Sequence, residues 1–88
     1  MRYRRNPEVS VTEAETETFL VLPGTEEVFY LDPLASGLWR LLAEPRNREE
    51  IVETFRAAFP DRPAEELVGD LDAALAELLA RGLALSVP

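Results

Sequence analysis

The chain has 88 residues, 17 acidic and nine basic side chains, no cysteine and no histidine. Such a length makes one small domain that buries roughly 60–65% of its unfolded surface, and the missing residue types exclude disulfides, thiolate chemistry and the commonest general base and metal ligand. The net charge of -8 is uneven: Arg2, Arg4 and Arg5 leave six arginines against all 17 acids, a body close to -11 that repels phosphate backbones and suits a neutral or basic partner, or simply keeps the protein soluble.

In chain order, residues 1–7 carry three arginines and no apolar run, and are expected to form a flexible arm. Val9 and Val11 then alternate with Ser10 and Thr12, a short strand, before the text turns polar from Glu13 to Glu17. Thr18-Phe19-Leu20-Val21-Leu22 is a β-branched and aromatic run stopped by Pro23-Gly24, and strand character resumes from Glu26 to Leu31, which predicts an antiparallel hairpin. In the last strand Phe29 and Leu31 face one way, Val28 and Tyr30 the other. Both faces are partly apolar, unusual for an outer strand with nothing laid over it.

Asp32 caps a first helix with Pro33 at its first position; Leu34, Leu38, Leu41 and Leu42 recur at helical spacing, and the helix should run to Glu44. Gly37 inside it costs about 1 kcal/mol relative to alanine, which points to close packing. Trp39 reads as a core anchor rather than a platform for stacking a base. Asn47 caps a second helix that opens Arg48-Glu49-Glu50 and buries Ile51, Val52, Phe55 and Phe59. The third and longest helix enters through Pro63 and runs to Arg81, with Gly82 as a left-handed cap. Its apolar stripe is Leu67, Leu71, Leu75, Leu78 and Leu79, with Val68 and Ala74 at the margins and Asp70 and Glu77 beside Ala74. Leu83-Ala84-Leu85 is expected to pack back briefly.

Little here supports catalysis. Ser10, Ser36 and Ser86 have no histidine or lysine to activate them. Asp70 and Asp72 point to different helix faces, while Glu49-Glu50 and Glu65-Glu66 occupy first turns, where acids offset the helix dipole. No calcium-loop spacing and no glycine-rich phosphate loop is present, so no enzyme activity, metal or cofactor is expected. No run of roughly 18 apolar residues occurs and no apolar segment follows the first charges, so neither a membrane span nor a secretory signal is expected, and the location should be cytoplasmic.

Three antiparallel strands followed by three helices predict an α+β fold of the winged helix-turn-helix type. Its familiar use is reading DNA, but the third helix carries Glu65, Glu66, Asp70, Asp72 and Glu77 against a single Arg81, the wrong chemistry for base edges. A different use fits better. An extended peptide can add to the edge strand through main-chain hydrogen bonds, its alternate side chains dropping into a groove between Val28–Leu31 and the Leu67, Leu71, Ala74, Leu78 side of the third helix. The same residues also fit a plain core, or a dimer paired through the open edge. Nucleic-acid binding through the arginine-rich start is a further alternative.

The order Val28-Phe29-Tyr30-Leu31-Asp32, Ala35 to Trp39-Arg40-Leu41-Leu42, Arg48-Glu49-Glu50-Ile51-Val52, Asp70-Leu71 to Leu75-Ala76-Glu77-Leu78 and Arg81-Gly82-Leu83 resembles the PqqD-like family. These are recognition elements for ribosomally made precursor peptides that are later modified. The resemblance covers about Glu8 to Leu85 and implies a single non-catalytic domain over residues 1–88, holding the precursor's leader on the third strand and third helix and presenting the rest to a separate enzyme. Carried over by position, it makes Glu27, Val28, Phe29, Tyr30, Leu67, Asp70, Leu71, Ala74 and Leu78 the peptide-binding residues, the strand acting chiefly through its backbone. Members in pyrroloquinoline quinone synthesis, peptide chaperones for a radical SAM enzyme, usually carry a tyrosine-proline-glutamate-glycine-like run before the third strand. This chain has Val21-Leu22-Pro23-Gly24-Thr25-Glu26 there. It looks more like the stand-alone recognition protein of a lasso-peptide pathway, which serves a leader protease and a cyclase. The partners implied are the leader and such an enzyme, with no nucleic acid and no membrane, the protein being a monomer or weak dimer.

Overall fold

The computed structural model describes every residue except Thr16 and Glu26. Eight elements follow in order: β1 (Arg2–Arg5), β2 (Ser10–Ala14), β3 (Glu17–Val21), β4 (Val28–Leu31), α1 (Pro33–Leu41), α2 (Arg48–Ala58), α3 (Ala64–Ala80) and β5 (Ala84–Val87). β2, β3 and β4 form an antiparallel sheet in that order, and β1 pairs with β5 in a separate antiparallel ribbon. The expected α+β arrangement of a three-stranded antiparallel sheet with three helices is therefore present, with a second small sheet added.

The helix boundaries follow from local chemistry. Asp32 Oδ1 accepts from the Ala35 N–H at 2.7 Å, starting α1. Asn47 and Glu50 exchange side-chain and backbone bonds in a capping box at the head of α2. At the end of α3, Gly82 takes φ +73°, the Leu83 N–H reaches the Leu78 carbonyl and the Gly82 N–H the Leu79 carbonyl, a Schellman stop. Where α1 passes α2, a Cβ on Gly37 would lie 3.4 Å from the Phe55 ring, so glycine permits the close approach its position suggested. The core joins Leu20 of β3 to Leu38, Trp39 and Leu42, Ile51 and Phe55, and Leu67, Leu71, Leu75 and Leu78 of α3. Trp39 is buried, as expected of a core anchor.

Several expectations need correction. Residues 1–7 are not a free arm: Arg2–Arg5 is β1, and Tyr3 exchanges two backbone hydrogen bonds with Arg46 on its other side. Arg5 lays its guanidinium 5.2 Å from the Trp39 ring centroid and donates from Nε to the Trp39 carbonyl at 2.8 Å, so its stem is apolar cover and its head is satisfied. The brief packing of Leu83–Leu85 is the entry to β5. α1 stops at Leu41 rather than Glu44, its last carbonyls taken by a tightened turn in which the Ala43 N–H bonds Arg40. Phe59 is not in the buried stripe of α2. It lies one residue past the helix, 43% exposed, with its ring stacked 6.1 Å from Phe55. The expected strand start at Glu26 and the Thr16 part of the turn before β3 lie outside the described residues.

Candidate functional site

β4 is a run of four strand-forming residues cut short by Pro33, and it closes one side of its sheet. Its register sets Phe29 opposite Leu20 and Leu31 opposite Thr18, both buried partners, while Val28 faces Val21 and Tyr30 faces Phe19. Opposed residues share a sheet face, so Phe29 and Leu31 turn inward and Val28 and Tyr30 stand on the outer face. Tyr30 is 74% exposed and meets Phe19 edge-on, ring centroids 4.9 Å apart. Among the described residues no strand pairs with the far side of β4. Because antiparallel ladder bonds alternate, every second residue of β4 points its N–H and C=O out along that side. The Ser36 hydroxyl donates to the Leu31 carbonyl at 3.2 Å and ties the strand's end to α1.

Beside this edge α3 faces β4 across an open groove. One hollow of about 450 Å³ is lined by Glu27 to Leu31 with Glu77, Leu78, Arg81 and Leu83. The next, of about 660 Å³, lies where Asp32, Pro33 and Leu34 meet Phe59, Arg62, Asp70, Ala73 and Ala74. Strand and helix thus run in opposite senses along the groove. Ala73 and Ala74 keep the helix wall low, and Phe29 forms floor beneath the Arg81 guanidinium, 5.2 Å from its ring centroid. Arg81 Nε donates to Glu77 Oε1 at 2.5 Å, one turn back on the same helix. Arg62 donates to Asp70 Oδ2 at 2.5 Å and to Glu66 Oε1 at 3.0 Å, and these hydrogen bonds, Asp70's first, push its pKa further up. Both cations of the groove are held by acids of α3. No ion pair joins Glu27 or Asp32 to an arginine among the described residues. An open main-chain edge, an apolar floor and charged rims equip this surface to bind an extended chain.

The residues expected at the site divide. Glu27, Val28, Phe29, Tyr30 and Leu78 line the first hollow, and Asp70 and Ala74 the second. Leu67 and Leu71 line neither; they are 0% and 2% exposed inside the core, and Leu78 at 1% forms only the groove's base. A helical wheel groups apolar residues on one arc, but the centre of that arc packs on α1 and α2 and only its margin reaches the groove. The helix wall is therefore Asp70, Ala73, Ala74, Glu77 and Arg81. Ala73, Glu77 and Arg81 were not expected as site residues. Their signal was present as a pair of small residues at the stripe's margin and an acid–arginine pair four apart.

The family described as Coenzyme PQQ synthesis protein D (PqqD) matches residues 17–84, from the start of β3 to the start of β5. The chain belongs to the PqqD family. The PqqD match takes in both walls of the groove. Two solved structures share the fold: TbiB1 in complex with the TbiA(beta) leader peptide, 26% identical at a TM-score of 0.81, covering 97% of this chain and 98% of that one; and lasso peptide synthetase B1 complexed with the leader peptide, 20% identical at 0.78, covering 96% and 98%. No curated protein matches the sequence.

Proposed function

We propose that this chain is a non-catalytic recognition element of winged-helix type that captures the leader of a ribosomally made precursor peptide. The leader adds to β4 as a further strand and sets alternate side chains over Phe29 and against Ala74 and Glu77. The remainder of the precursor is thereby presented to separate enzymes, the leader protease and cyclase of a lasso-peptide pathway in the cytoplasm, with the recognition element acting as a monomer. The observation that carries this reading is the unpaired side of β4 lying along an open groove. It is supported by the two fold relatives, each complexed with a leader peptide. A Kd of about 1 µM, or about -8 kcal/mol, is the scale expected for a short added strand with two or three seated side chains. The family description favours a second reading, delivery of the pyrroloquinoline quinone precursor to its first modifying enzyme.

The test is a titration of the ¹⁵N-labelled protein with two synthetic leaders, one from a lasso-peptide precursor and one from a quinone-cofactor precursor. Binding of the first is expected, with amide shifts and slowed hydrogen exchange confined to Val28–Leu31 and the Ala74–Arg81 side of α3. Tight binding that leaves the β4 amides exchanging freely overturns strand addition. Binding of the second alone moves the protein to the other pathway.

A further inference from the structure

We infer that the groove selects a leader strand carrying basic residues near both ends of its paired segment, about five positions apart, with apolar residues between, and that Glu27 is the main specificity-determining residue. The inference rests on strand addition at β4 and names the chemistry of the strand that would add there.

Arg81 is engaged by Glu77, and Arg62 by Asp70 and Glu66. An acidic residue of a bound strand would meet a guanidinium whose charge an acid of α3 already offsets. Glu27 and Asp32 have no such partner among the described residues, and both line the groove. They flank the two ends of β4, Asp32 where the two hollows meet, and are separated by the apolar inward residues Phe29 and Leu31. At about 3.3 Å per residue, the strand positions beside Glu27 and Asp32 lie roughly 16 Å apart, five residues along an added chain. Lysine or arginine at those positions meets an unpaired carboxylate at each end, whereas aspartate or glutamate meets like charge on a protein whose net charge is already -8.

The two ends are not equal. Asp32 Oδ1 accepts the Ala35 N–H and its charge sits against the positive end of α1, which offsets part of it. Glu27 is exposed and its carboxylate accepts no hydrogen bond among the described residues, so nothing offsets its charge at the edge of the first hollow. Exposed pairs of this kind shift affinity about two- to fivefold each, and the shift shrinks as salt is raised.

A library of random peptides about a dozen residues long, displayed on ribosomes, is selected on the immobilised full chain and, separately, on its Glu27→Arg variant. The wild-type selection should enrich peptides with lysine or arginine about five positions apart around apolar residues. The variant selection should replace one of the two basic positions by aspartate or glutamate and keep the other. A peptide enriched on wild type should bind Glu27→Arg about three- to tenfold more weakly at low salt, a difference that narrows in high salt. Circular dichroism of the variant should be native, since the exposed Glu27 side chain makes no ion pair among the described residues. Enriched peptides that protect the β4 amides but show no charge preference, or the same preference on both proteins, overturn this inference and leave strand capture standing. Failure to enrich any peptide that protects β4 overturns strand capture itself.

Discussion

β2 and β4 are the two edges of one sheet, both paired to β3 and both open on their far sides among the described residues. They differ in what lies beneath them. Every residue of β2 is exposed: Ser10, Thr12 and Ala14 share the outer face with Phe19 and Val21, and Glu13, on the face of Thr18, is tied to Arg40 at 2.9 Å. β4 alternates exposed and half-buried positions because α1 packs under it and α3 flanks it across the groove. An edge without a floor offers a visiting strand only main-chain hydrogen bonds, which replace bonds to water and contribute little net affinity. An edge with a floor adds pockets for alternate side chains, and those supply both affinity and selectivity. Identical topology thus yields one edge blunted by polar residues and one with a groove alongside it.

The comparison can be broken most severely from below. Leu71→Asp places a carboxylate in the core under the groove, where Leu71 is 2% exposed, and costs more than the roughly 2–5 kcal/mol of a leucine truncation. Loss of the cooperative thermal transition by circular dichroism is expected, and both edges should vanish together. Ala74→Arg changes a residue at the core's margin and fills the second hollow, where β4 hands over to α1. Leader affinity should fall about tenfold or more, or about 1.4 kcal/mol, with native circular dichroism, while Thr12→Arg on β2 should leave the titration unchanged. Equal effects from the two arginines would erase the distinction between the edges.

A smaller effect concerns the hand-over from β4 into α1, which β2 has no counterpart for. Asp32→Ala removes the cap on the Ala35 amide and should lower stability by about 1 kcal/mol in urea unfolding. The smallest lies on α3 away from the groove, where Arg48 holds Asp72 bidentately at 2.9 Å and, through that hydrogen bond first, keeps its carboxyl below the usual carboxylate range. A depressed folded pKa contributes stability that is present above the unfolded carboxylate pKa of about 3.9 and lost as pH falls through the lower folded value. Thermal melts of Asp72→Asn should therefore fall slightly below wild type near neutral pH and converge with it in strong acid. The gap is small because both side chains are about half exposed, 53% and 48%. Leader binding should not change.

Much of this was readable from local chemistry. Asp32-Pro33, Asn47 with Glu50, and Gly82 fixed the helix ends because capping involves residues within a few positions of one another. The alternation of Val28, Phe29, Tyr30 and Leu31 separated an inward from an outward face because strand geometry alternates every residue. Resemblance in the order of those motifs then pointed to the strand and helix that form the groove. What local chemistry could not reach were contacts between distant parts of the chain. β1 is four residues rich in arginine, and β5, about 80 positions later, Arg46 and the Trp39 ring make it a strand rather than an arm. Leu67 and Leu71 belong to the same apolar stripe as Ala74, and only the packing of α1 and α2 on α3 decides which part of that stripe is core and which is groove. The sequence determined the three-stranded sheet, the three helices with their caps and their amphipathic faces, since these depend on backbone geometry and neighbouring side chains. The tertiary structure alone decided which edge has a floor and which carboxylates remain unpaired along it, since burial and charge compensation are properties of what packs against a residue.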